Sequence, residues 1–225
     1  MLIYGKQPVK YAIEHHSSKI STLYISKDID QKEYSALMRY DFELKRIPAN
    51  AAVQMSRSGN HQGYLADIDE LEQSDLKSVA QCEFVLVLCM LTDMGNIGAL
   101  IRTAYALGVG AVVITGIRSL KQEAVVRSSA GALLDMPFYV ADNLYDVMTE
   151  LKNASHKLYG ADMSGCDIEK IEFSGKRTLL LGSEDSGIPS RALRRLDKIL
   201  KIEMTHKFNS LNVSAAGAIL MQRLR

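Results

Sequence analysis

The stretch FVLVLCMLTDMGNIGALIRTAYALGVGAVVIT, residues 84–115, reads as a strand, a turn into a helix, and a second strand. Both FVLVLCML, from Phe84 to Leu91, and GAVVIT, from Gly110 to Thr115, are nearly continuous apolar runs. Strands of that kind are buried on both faces, the mark of a parallel sheet covered by helices. Between them, residues from about Asn96 to Leu107 carry apolar side chains at helical spacing. The alternation continues: a helix near Glu123 to Leu134, a strand at 138–141, a helix from Leu144 to Leu151, and the strand HKLYGADM at 156–163. TLLLGS at 178–183, a helix from about Pro189 to Leu196, ILKIEM at 199–204 and a helix from about Val213 complete it. The result is an α/β domain of about six strands, in which ligands bind outside the carboxyl ends of the strands. Chemistry is therefore expected in the loops at 92–98, 182–188 and 205–212.

Upstream, the pattern is shorter. Pro8 near the start of Val9, Ala12 and Ile13 suits a first-turn proline opening a helix. Strands follow at Ile20–Ser26 and Phe42–Pro48, helices at Glu33–Arg39 and Ala51–Met55, and a closing strand YLADI at 64–68. A compact layered α/β module of residues 1–68 results. It is mildly basic, with nine Lys/Arg against six Asp/Glu in residues 1–64, whereas residues 65–80 carry one against five. That acidic stretch reads as a solvated linker, residues 69–82, before the main domain at 83–225.

The 225 residues suffice to bury roughly 70% of the unfolded surface. At 47% hydrophobic and 24% charged, with four Pro, the chain falls outside the disordered and low-complexity classes. The run at 84–91 is too short to cross a bilayer, and no signal-peptide pattern opens the chain, so the expected setting is cytoplasmic. Cys82, Cys89 and Cys166 form no CxxC pair, and His15, His16 and His61 lack ligand spacing, so no metal is expected. A net charge of +1 excludes a uniformly positive coat and leaves nucleic acid to local patches.

Taken singly the three loops are modest signals. In DMGNIGALIRTA, residues 93–104, Asn96 and two glycines stand where a helix begins, and Arg102 interrupts the apolar set Ile97, Leu100, Ile101 and Ala104. In LGSEDSGIPSRAL, residues 181–193, Gly182, Ser183, Glu184 and Gly187 follow a buried strand, where glycine lets a ligand approach the backbone. HKFNSLNVS, residues 206–214, offers Ser210 or Asn212 as the N-cap of the last helix. The run Ala215–Ala218, with Gly217, permits close helix approach within the fold or between subunits.

In order and spacing, NIGALIRTA, GSEDSG, and IEM with NSLNVS closely resemble the three motifs of the SpoU (TrmH) family of RNA ribose 2′-O-methyltransferases, in the SPOUT superfamily. GKQPVKYAI at 5–13 and HQGYLADI at 61–68 resemble the substrate-binding module of the subgroup that modifies ribosomal RNA, and SSAGAL at 128–133 also fits. The resemblance covers nearly the whole chain. It implies S-adenosylmethionine as methyl donor, a homodimer, and a methyltransferase domain threaded into a trefoil knot, which no periodicity shows. The adenosyl group would be held by main-chain groups of Gly182, Ile202, Met204 and Leu211, with Ser210 and Asn212 shaping the pocket. Asn96, Arg102, Glu184, Ser210 and Asn212 would form the catalytic set. Three positions depart from the family pattern: Met94 and Glu203 stand where proline is usual, and His206 where glycine is.

The substrate implied is a guanosine of the large-subunit ribosomal RNA. RNA contacts are expected from Lys6, Lys10, Lys45, Arg46 and Arg57 in front, and from Arg191, Arg194 and Arg195 beside the second loop. The same reaction on transfer RNA, and a non-catalytic RNA-binding protein of the same fold, stay open. A dinucleotide-dependent oxidoreductase does not fit, because no GxGxxG follows the first strand.

Overall fold

The computed structural model describes residues 1–183, 186–206 and 210–225. The chain forms two compact units, Met1–Glu72 with Lys121–Leu134, and Gln73–Leu120 with Asp135–Arg225. Among the described residues no helix is long and apolar enough to cross a membrane.

The first unit runs β1 (Leu2–Tyr4), α1 (Lys6–His16), β2 (Ile20–Ile25), α2 (Gln31–Leu37), β3 (Glu43–Arg46), α3 (Ala49–Met55) and β4 (Tyr64–Ile68). Its sheet has the order β1-β4-β2-β3, with β2 and β3 parallel and the other pairs antiparallel. Pro8 lies in the first turn of α1, which buries Val9, Ala12 and Ile13. Strand β1 leaves no sequence signal, because three residues are too few for an alternation to register; pairing with β4 holds it.

Next along the chain come α4 (Leu76–Val79), β5 (Phe84–Cys89), α5 (Met94–Ala106), β6 (Ala111–Thr115) and α6 (Gln122–Ser128). Helix α6 packs in the first unit: Val125 and Val126 are fully buried, and the Arg127 guanidinium lies 4.8 Å from the Tyr4 ring centroid. The single helix expected over 123–134 stops at Ser128. Ala130 and Gly131 take left-handed backbone angles, φ 55° and 100°, before a 3-10 turn at Ala132–Leu134. A Cβ on Gly131 would lie 2.8 Å from Tyr11 atoms, so space as well as φ demands glycine there.

The second unit adds β7 (Phe138–Ala141), α7 (Leu144–Asn153), β8 (Lys157–Asp167), β9 (Arg177–Gly182), α8 (Ser190–Leu193), β10 (Lys198–Lys201) and α9 (Val213–Leu224). Its sheet has the order β10-β8-β9-β5-β6-β7 and every pairing is parallel. All of β5 is buried, as its unbroken apolar run requires. Val85, Val87 and Cys89 pack in a cluster with Val147, Leu151 and Ala192 of α7 and α8, and burial pushes the Cys89 thiol up to about 12. Helices α5 and α9 pack together, and α9 lies on β9. Helix α4, capped by Asp75, buries Val79 and Ala80 where composition suggests solvated chain.

Strand β8 carries an irregularity that matters below. Gly160 pairs with Ile199 and Cys166 with Leu200, so Ala161–Gly165 swings out opposite one step of β10.

His156 is buried at the start of this sheet, with Nε2 3.2 Å from the Ala80 carbonyl oxygen and Nδ1 3.0 Å from Thr178 Oγ1. Burial lowers its pKa below the ordinary 6.5 despite the Ala80 carbonyl. The unfolded chain therefore takes up this proton first. Stability is complete above pH 6.5 and falls as the pH drops from there toward the native value, by at most about 1.4 kcal/mol per pH unit. Urea unfolding across that range should show the loss, and His156→Gln should flatten it.

Candidate functional site

Three loops leave the carboxyl ends of β5, β9 and β10 on one edge of the parallel sheet. The first begins with Asp93, which caps α5 by accepting from the Asn96 backbone N at 2.7 Å. The helix thus opens at Met94, two residues before the expected Asn96. Asn96 is left with a side chain that need not cap. Its Oδ1 accepts a hydrogen bond from Asn212 Nδ2 at 3.2 Å, which ties the first loop to the third. Asn212 also caps α9, its Oδ1 accepting from Ser214 N at 2.9 Å, so the choice between Ser210 and Asn212 as cap falls to Asn212. Of the small-residue run, Gly217 packs within the fold: a Cβ there would lie 2.9 Å from Leu181 Cδ1, so the Leu181 and Leu100 side chains would have to shift for anything larger.

The second loop folds back on itself. Ser183 bridges to Gly187, and the Ser183 and Ser186 hydroxyls are 2.7 Å apart. A Cβ on Gly182 would overlap the Gly187 backbone, with the Gly187 carbonyl oxygen 2.5 Å away. The Cβ position of this glycine is thus filled by the chain's own backbone, while the residue also lines the cleft described next. Gly187 itself needs the left-handed angle, φ 63°. Glu184 lies outside the described residues.

Between the second and third loops a cleft of about 200 Å³ opens at the ends of β8, β9 and β10, backed by α9. Gly182, Ile202, Met204 and Leu211 all line it, and so does Ser210. Strand β10 ends at Lys201 rather than continuing through Met204, which releases Ile202 and Met204 to the cleft wall. Leu181, Leu200 and Val213 add apolar surface. A flat heteroaromatic ring fits such walls, and the charged lining groups Asp162 and Lys201 suit a molecule with a zwitterionic tail. The residues present thus fit an adenosyl cofactor. Asp162 and Met163 were missed in the sequence because HKLYGADM reads as plain strand; the glycine pair at 160 and 165 was the available signal of a bulge.

The departures from the family motifs settle differently. Met94 simply starts α5 behind its aspartate cap. Glu203 places a carboxylate 2.9 Å from Lys201 Nζ. His206 is exposed and does not line the cleft.

Arg102 is one step off the buried stripe of Ile97, Leu100, Ile101 and Ala104, and it is exposed, with no described carboxylate beside it. It does not line the cleft. Of the basic residues, Lys10 pairs with Glu33 at 3.1 Å, Lys45 with Glu43 at 2.7 Å and Arg46 with Asp28 at 4.0 Å. The Glu33 carboxyl is held low by the Tyr64 hydroxyl and then by Lys10, against the opposing effect of burial. Arg191 and Arg195 lie 4.7 and 5.0 Å from the Tyr145 ring centroid, an aromatic shelf flanked by two guanidiniums. Lys6, Arg57 and Arg194 are exposed and have no ion-pair partner among the described residues. Among those residues there is also no cluster of three or more His, Cys, Asp or Glu that could hold a metal.

Comparison with known proteins gives two family matches. Residues 83–222 match the SpoU rRNA Methylase family, and residues 2–74 match the RNA 2′-O ribose methyltransferase substrate-binding family. The 23S rRNA (guanosine-2′-O-)-methyltransferase RlmB of Vibrio cholerae is 29% identical over 237 residues, covering 100% of this chain and 96% of that protein. An uncharacterized tRNA/rRNA methyltransferase of Archaeoglobus fulgidus is 29% identical over 188 residues, covering 81% of this chain and 84% of the relative. Among solved structures, the SpoU methyltransferase AviRb of Streptomyces viridochromogenes, in complex with AdoMet, superposes with a TM-score of 0.83 at 22% identity. That match covers 100% of this chain and 88% of the other.

Proposed function

The chain belongs to the SpoU rRNA Methylase family, and from that membership we propose that it methylates a ribose 2′-hydroxyl of ribosomal RNA, at a guanosine of the large-subunit RNA. S-adenosylmethionine is the donor in this reading. The observation that carries it is one cleft that gathers Gly182, Ile202, Met204, Ser210 and Leu211, with the first loop tied in through Asn96 and Asn212.

The donor's sulfonium supplies a methyl that is already activated. What remains for the protein is alignment, which can contribute about 7–11 kcal/mol. Asn212, bonded to Asn96 and to Ser214, holds the first and third loops in register, and Ser210, on the cleft wall, is assigned to the reacting centre. We assign Arg102 to orienting the ribose hydroxyl or its neighbouring phosphate and to stabilising the developing alkoxide. A guanidinium keeps its charge, so this role suits it better than that of a base. Glu184 is assigned to the same centre, as partner of Arg102 or polariser of the hydroxyl. Lys6, Arg57 and Arg194, and the Tyr145 shelf with Arg191 and Arg195, are the leading RNA contacts; Lys10, Lys45 and Arg46 follow, their charge shared with carboxylates.

Incubation with tritiated S-adenosylmethionine and ribosomal RNA tests the reading, with nucleoside digestion to find 2′-O-methylguanosine. Label in transfer RNA alone would move the substrate there, and cofactor binding without label in either RNA would favour the non-catalytic alternative.

The same reading carries a trefoil-knotted second unit, a homodimer and a cytoplasmic workplace. Support for the dimer comes from Tyr105, 43% exposed on α5, and Ile219, 44% exposed on α9, apolar surface on two helices that pack together. Ile219→Asp should shift the protein to monomer in sedimentation equilibrium and reduce methyl transfer with it. An unchanged mass would place any dimer contact elsewhere.

A further inference from the structure

We propose that Asp162, carried to the cleft by the β8 excursion, makes the site prefer the charged methyl donor over the spent product. This rests on the methyltransferase reading above and concerns what that site releases.

Glycines stand at both ends of the excursion, and the one at 165 is required by the backbone opposite it. A Cβ on Gly160 would lie 2.9 Å from Ile188 Cδ1, and one on Gly165 would lie 2.7 Å from the Ile199 carbonyl carbon. Bulges beside a site re-aim side chains, and this one brings Ala161, Asp162 and Met163 to the cleft wall. The carboxylate is then fixed. Asp162 Oδ1 accepts from the Ser164 backbone N at 2.9 Å and from Ser164 Oγ at 2.6 Å, while Oδ2 has no hydrogen-bond partner among the described residues. Lys201, the other charged group of the described lining, has Glu203 2.9 Å from its ammonium. Asp162 therefore leaves the described wall with an uncompensated negative charge.

S-adenosylmethionine carries a sulfonium and an ammonium against one carboxylate, and is a net cation. When the methyl leaves to the ribose oxygen, the C–S bond's electron pair stays on sulfur and the hydroxyl proton goes to solvent. S-adenosylhomocysteine is then neutral overall. A fixed anion in a half-enclosed cleft attracts the first and not the second, and within several ångströms that difference is worth about tenfold in affinity. Product would leave as its charge disappears.

Titration calorimetry with S-adenosylmethionine and S-adenosylhomocysteine tests this on the full-length protein. Asp162→Asn, which keeps an acceptor for Ser164, should weaken donor binding about tenfold and product binding less than about twofold. High salt should narrow the wild-type preference, a readout that stands even if the variant folds poorly. Ser164→Ala, which keeps the charge, should keep the preference. Equal weakening of both ligands by Asp162→Asn, a wild-type preference indifferent to salt, or loss of preference in Ser164→Ala would overturn the proposal. Wild-type protein that binds neither ligand would instead overturn the methyltransferase reading.

Discussion

Gly182→Val is expected to reduce S-adenosylmethionine affinity by about 100-fold while leaving the parallel sheet folded. The branched side chain would have to occupy space now filled by the Gly187 backbone, whose carbonyl oxygen is 2.5 Å from the Cβ position. A flexible side chain could swing aside; a backbone cannot move without reopening the Ser183–Gly187 bridge that closes the loop. Overpacking of this sort costs about 1–3 kcal/mol, and near its upper end that is about 100-fold in binding. Because Gly182, Ser183 and Gly187 all line the cleft, the distortion falls on the wall proposed to hold the cofactor. Calorimetry beside thermal unfolding separates the two effects. Affinity kept within about threefold in a folded variant would show that the second loop does not shape the cofactor site.

Arg102→Ala is expected to have the opposite profile: methyl transfer down by about 100- to 1,000-fold, the range seen when one donor to a developing oxyanion is removed, with cofactor affinity nearly unchanged. The separation follows from placement. Arg102 is exposed, lies outside the cleft lining, and supports no described ion pair, so its loss removes neither packing nor cofactor contact. Arg102→Lys should recover only part of the rate, since an ammonium cannot grip a hydroxyl and a phosphate with a planar fork. Single-turnover rates on ribosomal RNA, measured beside donor calorimetry, are the test. Full turnover by the alanine variant would remove Arg102 from the reacting centre.

The parts of this molecule that periodicity reveals are those where burial is uniform. Strands β5 and β6 are legible because every residue in them is buried, and that leaves no alternation to misread. The four positions that the motifs single out for the adenosyl group line one cleft, since motif spacing and strand ends coincide there. Illegible features depend on contacts between distant residues. Nothing local says that Gly182 faces Gly187's backbone, that Asn96 is relieved of capping by Asp93 and so reaches Asn212, or that β8 leaves its ladder for residues 161–165. Arg102 looked like an intrusion into an apolar stripe because 3.6-residue periodicity blurs neighbours one step apart; the helix turns it outward.

The excursion Lys121–Leu134 gives the front unit a consequence for anyone redesigning target choice. Val125, Val126 and Leu133 come from the far side of the interdomain sequence boundary, yet they are buried in the fold of the first 72 residues. A chimera spliced at the acidic stretch would give the donor's front piece a foreign 121–134 segment, with Tyr11 no longer matched to Gly131 nor Tyr4 to Arg127. Transplanting recognition therefore means grafting two discontinuous pieces of gene together, and homologous recombination at a single crossover should seldom yield a sound hybrid.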